Sequence, residues 1–179
     1  MSYRFAIVGC GHIGRRHAEL VGRHGHLLAV CDNDSERALE LAAKHRAKAY
    51  FSIEELLQNE RPGIVSICTP NGLHATHAIA ALQRDCHVLC EKPMSISSLD
   101  CQQMIAAAQK SGKKLFGVEQ TRHKARGTIQ NQFPSDDYEV YENLLLAFPQ
   151  QGHHLPVVSE AAKTVEMIEQ VYAHSPLST

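Results

Sequence analysis

The 179 residues carry 18 Lys and Arg against 19 Asp and Glu, for a formal net charge of -1, and 44% are hydrophobic. That suits one ordinary domain with an appendage and leaves two full domains cramped. The basic residues are spread along the chain, which excludes nucleic acid and an anionic membrane as expected partners, and with no secretion signal or apolar span in view the expected location is the cytoplasm.

The first apolar run, Phe5-Ala6-Ile7-Val8, leads straight into Gly9-Cys10-Gly11-His12-Ile13-Gly14 and then a helical pattern. Glycines in that setting permit a tight turn, close approach of backbone amides to a pyrophosphate, and packing of helix on strand. The helix N-terminus adds unpaired N–H donors and a favourable dipole. The next run, Leu27-Leu28-Ala29-Val30-Cys31, ends at Asp32, about 20 residues on, where an acid can bind both ribose hydroxyls. A carboxylate there repels a 2'-phosphate, so NAD is expected over NADP. Asn33 and Arg37 complete the candidate ribose-side group, Arg37 being the residue able to soften that preference.

Further along, short apolar runs keep alternating with helical patterns to about residue 118, the signature of a parallel sheet covered on both faces. Strands are predicted at 3–8, 27–31, 48–51, 64–68, 87–90 and 114–118, and helices at about 13–24, 34–45, 53–59, 74–84 and 97–111. Asp34 or Asn33 can cap the second helix. Ser52 with Glu55 forms a capping box for the third, and Pro62-Gly63 separates that helix from the next strand. After Val118 the stretch Glu119 to Asp137 is polar and aperiodic. Two amphipathic stretches follow, with Tyr138, Tyr141, Leu145 and Phe148 on one face and Ala162, Val165, Ile168 and Tyr172 on another. Two helices cannot make a core alone, so they are expected to pack on the first domain or on a partner. The expected fold class is α/β, a Rossmann-type doubly wound parallel sheet with two appended C-terminal helices. Its divisions are a dinucleotide-binding domain at 1–120, a linker at 121–136 and a helical appendage at 137–179.

Of the six cysteines, Cys10, Cys31, Cys68, Cys86 and Cys90 fall in or beside expected strands, and reduced core residues are the favoured reading. No CxxC pair occurs, so zinc is not expected. Cys10, at a helix N-terminus, is a candidate oxidant sensor, although a bound cofactor would cover it. His74 and His77 have ligand-like spacing but no third partner, so no metal is expected. His153 and His154 read as an inter-helix loop.

Two segments that follow expected strands, Cys68-Thr69-Pro70-Asn71-Gly72-Leu73-His74 and Cys90-Glu91-Lys92-Pro93, closely resemble the Gfo/Idh/MocA family of NAD(P)-dependent oxidoreductases. With the glycine turn, the resemblance spans residues 3 to about 123. It implies that Gly9, Gly11, His12, Ile13 and Gly14 cradle the pyrophosphate and that Asp32 holds the adenosine ribose. It further implies that Thr69, Pro70, Asn71 and His74 line the cofactor, that Glu91 binds near the nicotinamide ribose, and that Lys92 lies between nicotinamide and substrate as the catalytic cation. Removing hydride from a sugar carbinol needs a base for the hydroxyl proton and a cation near the developing oxyanion. Gln120-Thr121-Arg122-His123 resembles the segment entering the family's substrate domain. There Arg122 suits a carboxylate or phosphate, while a solvated linker is the competing reading of Arg122 and His123.

The family's large second domain, which usually supplies an Asp and a His for proton transfer, has no matching strand series after residue 123. The segment from Asp137 onward instead resembles the last helices of full-length relatives. Two function classes follow as expectations. One is an NAD-dependent dehydrogenase of a sugar or sugar nucleotide, probed by NADH formation. The other is a dinucleotide-binding or assembly module that keeps the cofactor site without turnover. Uncovered apolar surface makes a homo-oligomer the expected assembly.

Overall fold

A computed structural model describes residues 3–118 together with residues 165 and 166. Its strands are β1 (Arg4–Val8), β2 (His26–Cys31), β3 (Lys48–Tyr50), β4 (Ile64–Ile67), β5 (His87–Cys90) and β6 (Leu115–Gly117). The helices between them are α1 (His12–His24), α2 (Ser35–His45), α3 (Ile53–Asn59), α4 (His74–Gln83) and α5 (Ser98–Ser111). A short 3-10 turn, Asn71–Leu73, precedes α4 and was not expected from the sequence.

All strand pairs are parallel, in the order β3-β2-β1-β4-β5-β6. The order reverses between β1 and β4, and ligands bind at such a reversal, outside the carboxyl ends of the strands. The strands are apolar on both faces because both are covered. Along β1, Phe5 and Ile7 join α1 and α2 through Ala18, Val21, Ala38 and Leu41. Ala6 and Val8 point the other way, to α3, α4 and α5 through Leu56, Leu82 and Met104. Burying a Leu or Ile side chain contributes roughly 1.5–3 kcal/mol, so these two layers are what fix the strand ends in place.

Local capping follows the sequence closely. Asp34, not Asn33, caps α2 by accepting from the amides of Glu36 and Arg37, and Ser52 caps α3 by accepting from the Glu55 amide. None of the six cysteines forms a disulfide; Cys68 is half-buried and the other five are buried. Cys10 fits the favoured reading of a reduced core residue and not that of an oxidant sensor: burial first, and Asp32 second, push its thiol up to about 12, away from the reactive thiolate. Of the expected C-terminal helices only residues 165 and 166 are described. Both are helical, and Val165 is buried in the layer with α3, α4 and α5. Among the described residues no helix is long and apolar enough to cross a membrane.

Candidate functional site

Because every strand runs the same way, the segments after β1, β2, β4 and β5 meet at one edge of the sheet. The turn after β1 is set by backbone. The Gly9 amide donates to the Cys31 carbonyl at 2.8 Å, and Gly9 sits at φ +98, a conformation that L side chains rarely adopt. A Cβ there would lie 2.5 Å from the Cys68 carbonyl oxygen, and a Cβ at Gly14 would overlap the Gly9 carbonyl. These two glycines let β1, α1 and the segment after β4 close on one another. Gly11, the N-cap of α1, has ordinary extended backbone and no side-chain cap, and the first turn holds no acid. A Cβ on Gly11 would meet nothing within 4 Å. His12 and Ile13 beside it are exposed. An open, uncapped helix N-terminus reached through glycine fits a dinucleotide's pyrophosphate.

Asp32 ties two turns together. Its carboxylate accepts from the Cys10 amide at 2.7 Å and from the Asp34 amide at 2.9 Å. The group is half-buried, anchored and adjacent to the glycine turn, as a ribose acceptor requires. Asn33 beside it is exposed. Arg37 is drawn back onto Asp34, Nε to Oδ2 at 3.1 Å, in an exposed pair of small energetic weight.

The other half of the edge comes from the segments after β4 and β5. Pro70 and Asn71 are exposed, whereas Thr69 is half-buried, its hydroxyl against His77 Nδ1 at 3.2 Å. His74 is 1% exposed. Its Nδ1 lies 2.8 Å from the Pro93 carbonyl oxygen and its Nε2 2.7 Å from that of Thr69. The expectation that His74 lines a cofactor is corrected on this ground: the ring stands behind the two loops and clamps them together. Lys92 is exposed, and its peptide bond to Pro93 is cis.

Glu91 also faces inward. Its amide donates to the Ile67 carbonyl at 3.0 Å, while its carboxylate accepts from the Lys92 amide at 3.1 Å and sits 2.9 Å from His17 Nε2. His17, on α1, is buried and places Nδ1 2.6 Å from the Ser66 hydroxyl. Burial opposes its charge, but Cys68 and the Glu91 carboxylate outweigh burial and hold His17 up at about 10. Glu91 in turn, despite its burial, is held below the usual carboxylate range by His17 and by the Lys92 amide. Neither His17 nor Ser66 was singled out in the sequence. The available signal was spacing: His17 falls three residues after Gly14 and four before Val21, on the inward face of α1, where an imidazole needs a partner.

Arg122, His123, His153 and His154 lie outside the described residues. Among the described residues no three His, Cys, Asp or Glu side chains converge as metal ligands.

Residues 3–119 match a family model described as an oxidoreductase family with an NAD-binding Rossmann fold. Inositol 2-dehydrogenase of Salmonella typhimurium is 32% identical over 151 residues, covering 82% of this chain and 45% of that enzyme. The NADP(+)-dependent scyllo-inositol 2-dehydrogenase of Bacillus subtilis is 36% identical over 121 residues, covering 66% of this chain and 37% of that enzyme. Among solved structures, the WlbA dehydrogenase of Chromobacterium violaceum in complex with NADH and UDP-GlcNAcA superposes with a TM-score of 0.66 at 34% identity, covering 68% of this chain and 36% of that one. The chain thus spans less than half the length of these relatives.

Proposed function

This chain belongs to the Gfo/Idh/MocA oxidoreductase family, whose fold binds NAD, and from that membership we propose that it serves hydride transfer between NAD and a hydroxyl of a sugar or sugar nucleotide. The observation that carries the reading is convergence: the glycine turn, anchored Asp32, the Pro70-Asn71 turn and exposed Lys92 lie at one carboxyl edge of a parallel sheet. Gly9, Gly11, His12, Ile13 and Gly14 surround the pyrophosphate. Asp32, Asn33 and Arg37 take the adenosine ribose, and Thr69, Pro70 and Asn71 wall the nicotinamide side. When bound, NAD supplies the hydride acceptor. The Lys92 ammonium would lower the energy of the negative charge that develops on the substrate oxygen as its proton passes to a base and its hydride to NAD. Asp32 disfavours a 2'-phosphate, which makes NAD the preferred form.

The test is calorimetric titration with NAD and NADP, thermal melting with each, and NADH formation over a panel of inositols and UDP-sugars. NAD raising the melting temperature together with NADH formation is the expected result. NAD stabilisation with no NADH on any substrate identifies a dinucleotide-binding or assembly module instead, and no shift at millimolar NAD or NADP overturns both readings. We further propose the division 1–120, 121–136 and 137–179, with Arg122 and His123 as candidate substrate-binding residues. A cytoplasmic location is supported by six cysteines that form no disulfide. A homo-oligomer is supported by exposed Ile96 and Leu99, and a monomer by light scattering across the micromolar range would refute it.

A further inference from the structure

The inward-facing Glu91 presents a problem that the cofactor reading does not solve, because its side chain is only 15% exposed. One carboxylate oxygen is taken by His17 and the other by the Lys92 amide. Both Glu91 carboxylate oxygens are thus engaged within the protein, while Lys92, the next residue, is exposed. What the carboxylate does hold is the backbone from which Lys92 projects. What holds the carboxylate is His17, which is fixed from its other nitrogen by Ser66 on β4.

We propose that His17 and Glu91 are positioning residues for Lys92: the buried Ser66–His17–Glu91 chain locks the Lys92 backbone to α1, the helix whose N-terminus faces the pyrophosphate. This inference rests on the reading of Lys92 as the nicotinamide-side cation. Three elements meet in the chain, α1 through His17, β4 through Ser66 and the end of β5 through Glu91. The His17–Glu91 contact bridges 74 residues of sequence. It joins the two halves of the edge on which a dinucleotide would lie. The His74 clamp between the Thr69 and Pro93 carbonyls secures the same loop from its far side, so the Lys92 segment is pinned at both its ends. A group held this way loses little freedom on meeting its ligand, which is how supporting hydrogen bonds affect affinity without touching the ligand.

Splitting the cofactor into halves separates positioning from mere stability. ADP-ribose contacts the glycine turn and Asp32 but lacks the nicotinamide ring, so damage to α1 weakens ADP-ribose and NAD alike, whereas loss of Lys92 placement weakens NAD alone. The full chain and its His17→Asn, Glu91→Gln, Lys92→Ala and His17→Asn/Lys92→Ala variants are titrated with both ligands by calorimetry. Glu91→Gln breaks the chain from the opposite end at constant volume and carries the test if His17→Asn does not fold. The expected result is an ADP-ribose affinity within about twofold of wild type throughout. NAD affinity falls about three- to tenfold in each single variant, the range a lost hydrogen bond gives. The double variant is no weaker than Lys92→Ala alone. Equal weakening of both ligands by His17→Asn and Glu91→Gln, or no weakening of NAD where Lys92→Ala does weaken it, overturns the inference and leaves the cofactor reading intact. Wild-type protein that binds neither ligand overturns the cofactor reading and the inference with it. NAD binding that Lys92→Ala leaves unchanged overturns the role of Lys92 and, with it, the inference.

Discussion

Gly11→Ala and Gly9→Ala place the same methyl group on two glycines of one turn and should have opposite consequences. At Gly11 the backbone is extended, at φ -69, and an added Cβ meets nothing within 4 Å, so the fold tolerates it. The remaining penalty is the poorer N-cap preference of Ala, about 0.5–1 kcal/mol, or a melting decrease of roughly 1–4 °C for a chain this size. The methyl then occupies the open side of the turn, where the pyrophosphate would reach the α1 amides. Losing one charge-assisted hydrogen bond costs about 1.5–3 kcal/mol, which is a tenfold to hundredfold weaker Kd for NAD. At Gly9 the same methyl lies 2.5 Å from the Cys68 carbonyl oxygen and 2.8 Å from the Thr69 amide, both backbone, at a φ of +98. Backbone strain alone costs about 1–3 kcal/mol. With the overlap added, melting should fall by roughly 10 °C or more. Differential scanning fluorimetry and NAD titration read both effects. Wild-type NAD affinity in Gly11→Ala would show that no ligand approaches the turn there, and wild-type melting of Gly9→Ala would refute the steric argument.

Asp32→Asn removes the charge that repels a 2'-phosphate and one of two amide acceptors, so NAD should bind about tenfold less tightly while NADP loses less. An unchanged NAD-to-NADP affinity ratio by calorimetry refutes the role. Leu56→Ala empties a fully buried position between α3 and the sheet and should destabilise by about 2–5 kcal/mol in urea unfolding; less than 1 kcal/mol would contradict the packing. Two histidines should make stability depend on pH with opposite signs. Burial, and then Lys113 and Lys114, hold His87 down at about 4, so its contribution is full above the unfolded value of 6.5 and is lost as pH falls toward 4. His17, held at about 10, contributes fully below 6.5, and that stability is lost as pH rises toward 10. Urea midpoints across both windows should show the acid decline shallower in His87→Gln and the alkaline decline shallower in His17→Asn. Unchanged slopes in the variants would remove these groups as the cause.

The strands, helices and glycine turn were legible in the sequence because their causes are local. Phe5 to Val8 is an apolar run bounded by glycine, Asp34 caps the helix that starts one residue later, and Gly112, at positive φ, ends α5. Asp32 was legible for the same reason: its two amide partners lie 2 and 22 residues away, within one strand–helix–strand unit. The short turn at Asn71–Leu73 was missed because Pro-Asn-Gly reads equally well as an open loop. His17 and His74 were not legible in their actual roles. The partners of His17 lie 49 and 74 residues off, and one acceptor of His74 is the Pro93 carbonyl, a backbone atom that no side-chain pattern announces.

This difference in range has a consequence for how the site can be altered. The adenosine half is built from backbone amides and one carboxylate inside a single strand–helix–strand unit, so substitutions there act on the turn that carries them. The Lys92 half depends on side chains delivered from α1, β4 and α4 at once. A change on α1 therefore reaches the lysine without touching a ligand. The inner face of α1 does two jobs in consecutive turns, Gly14 bringing the helix against the turn after β1 and His17 reaching across β4 to Glu91. Any shift of α1 that accommodates a bulkier residue at position 14 also moves the imidazole that holds Glu91. Gly14→Ala should consequently weaken both ADP-ribose and NAD, and lose the excess affinity for NAD as well, whereas Gly11→Ala should keep the ratio of the two. Equal ratios in the two variants would mean that the halves of the edge are held independently.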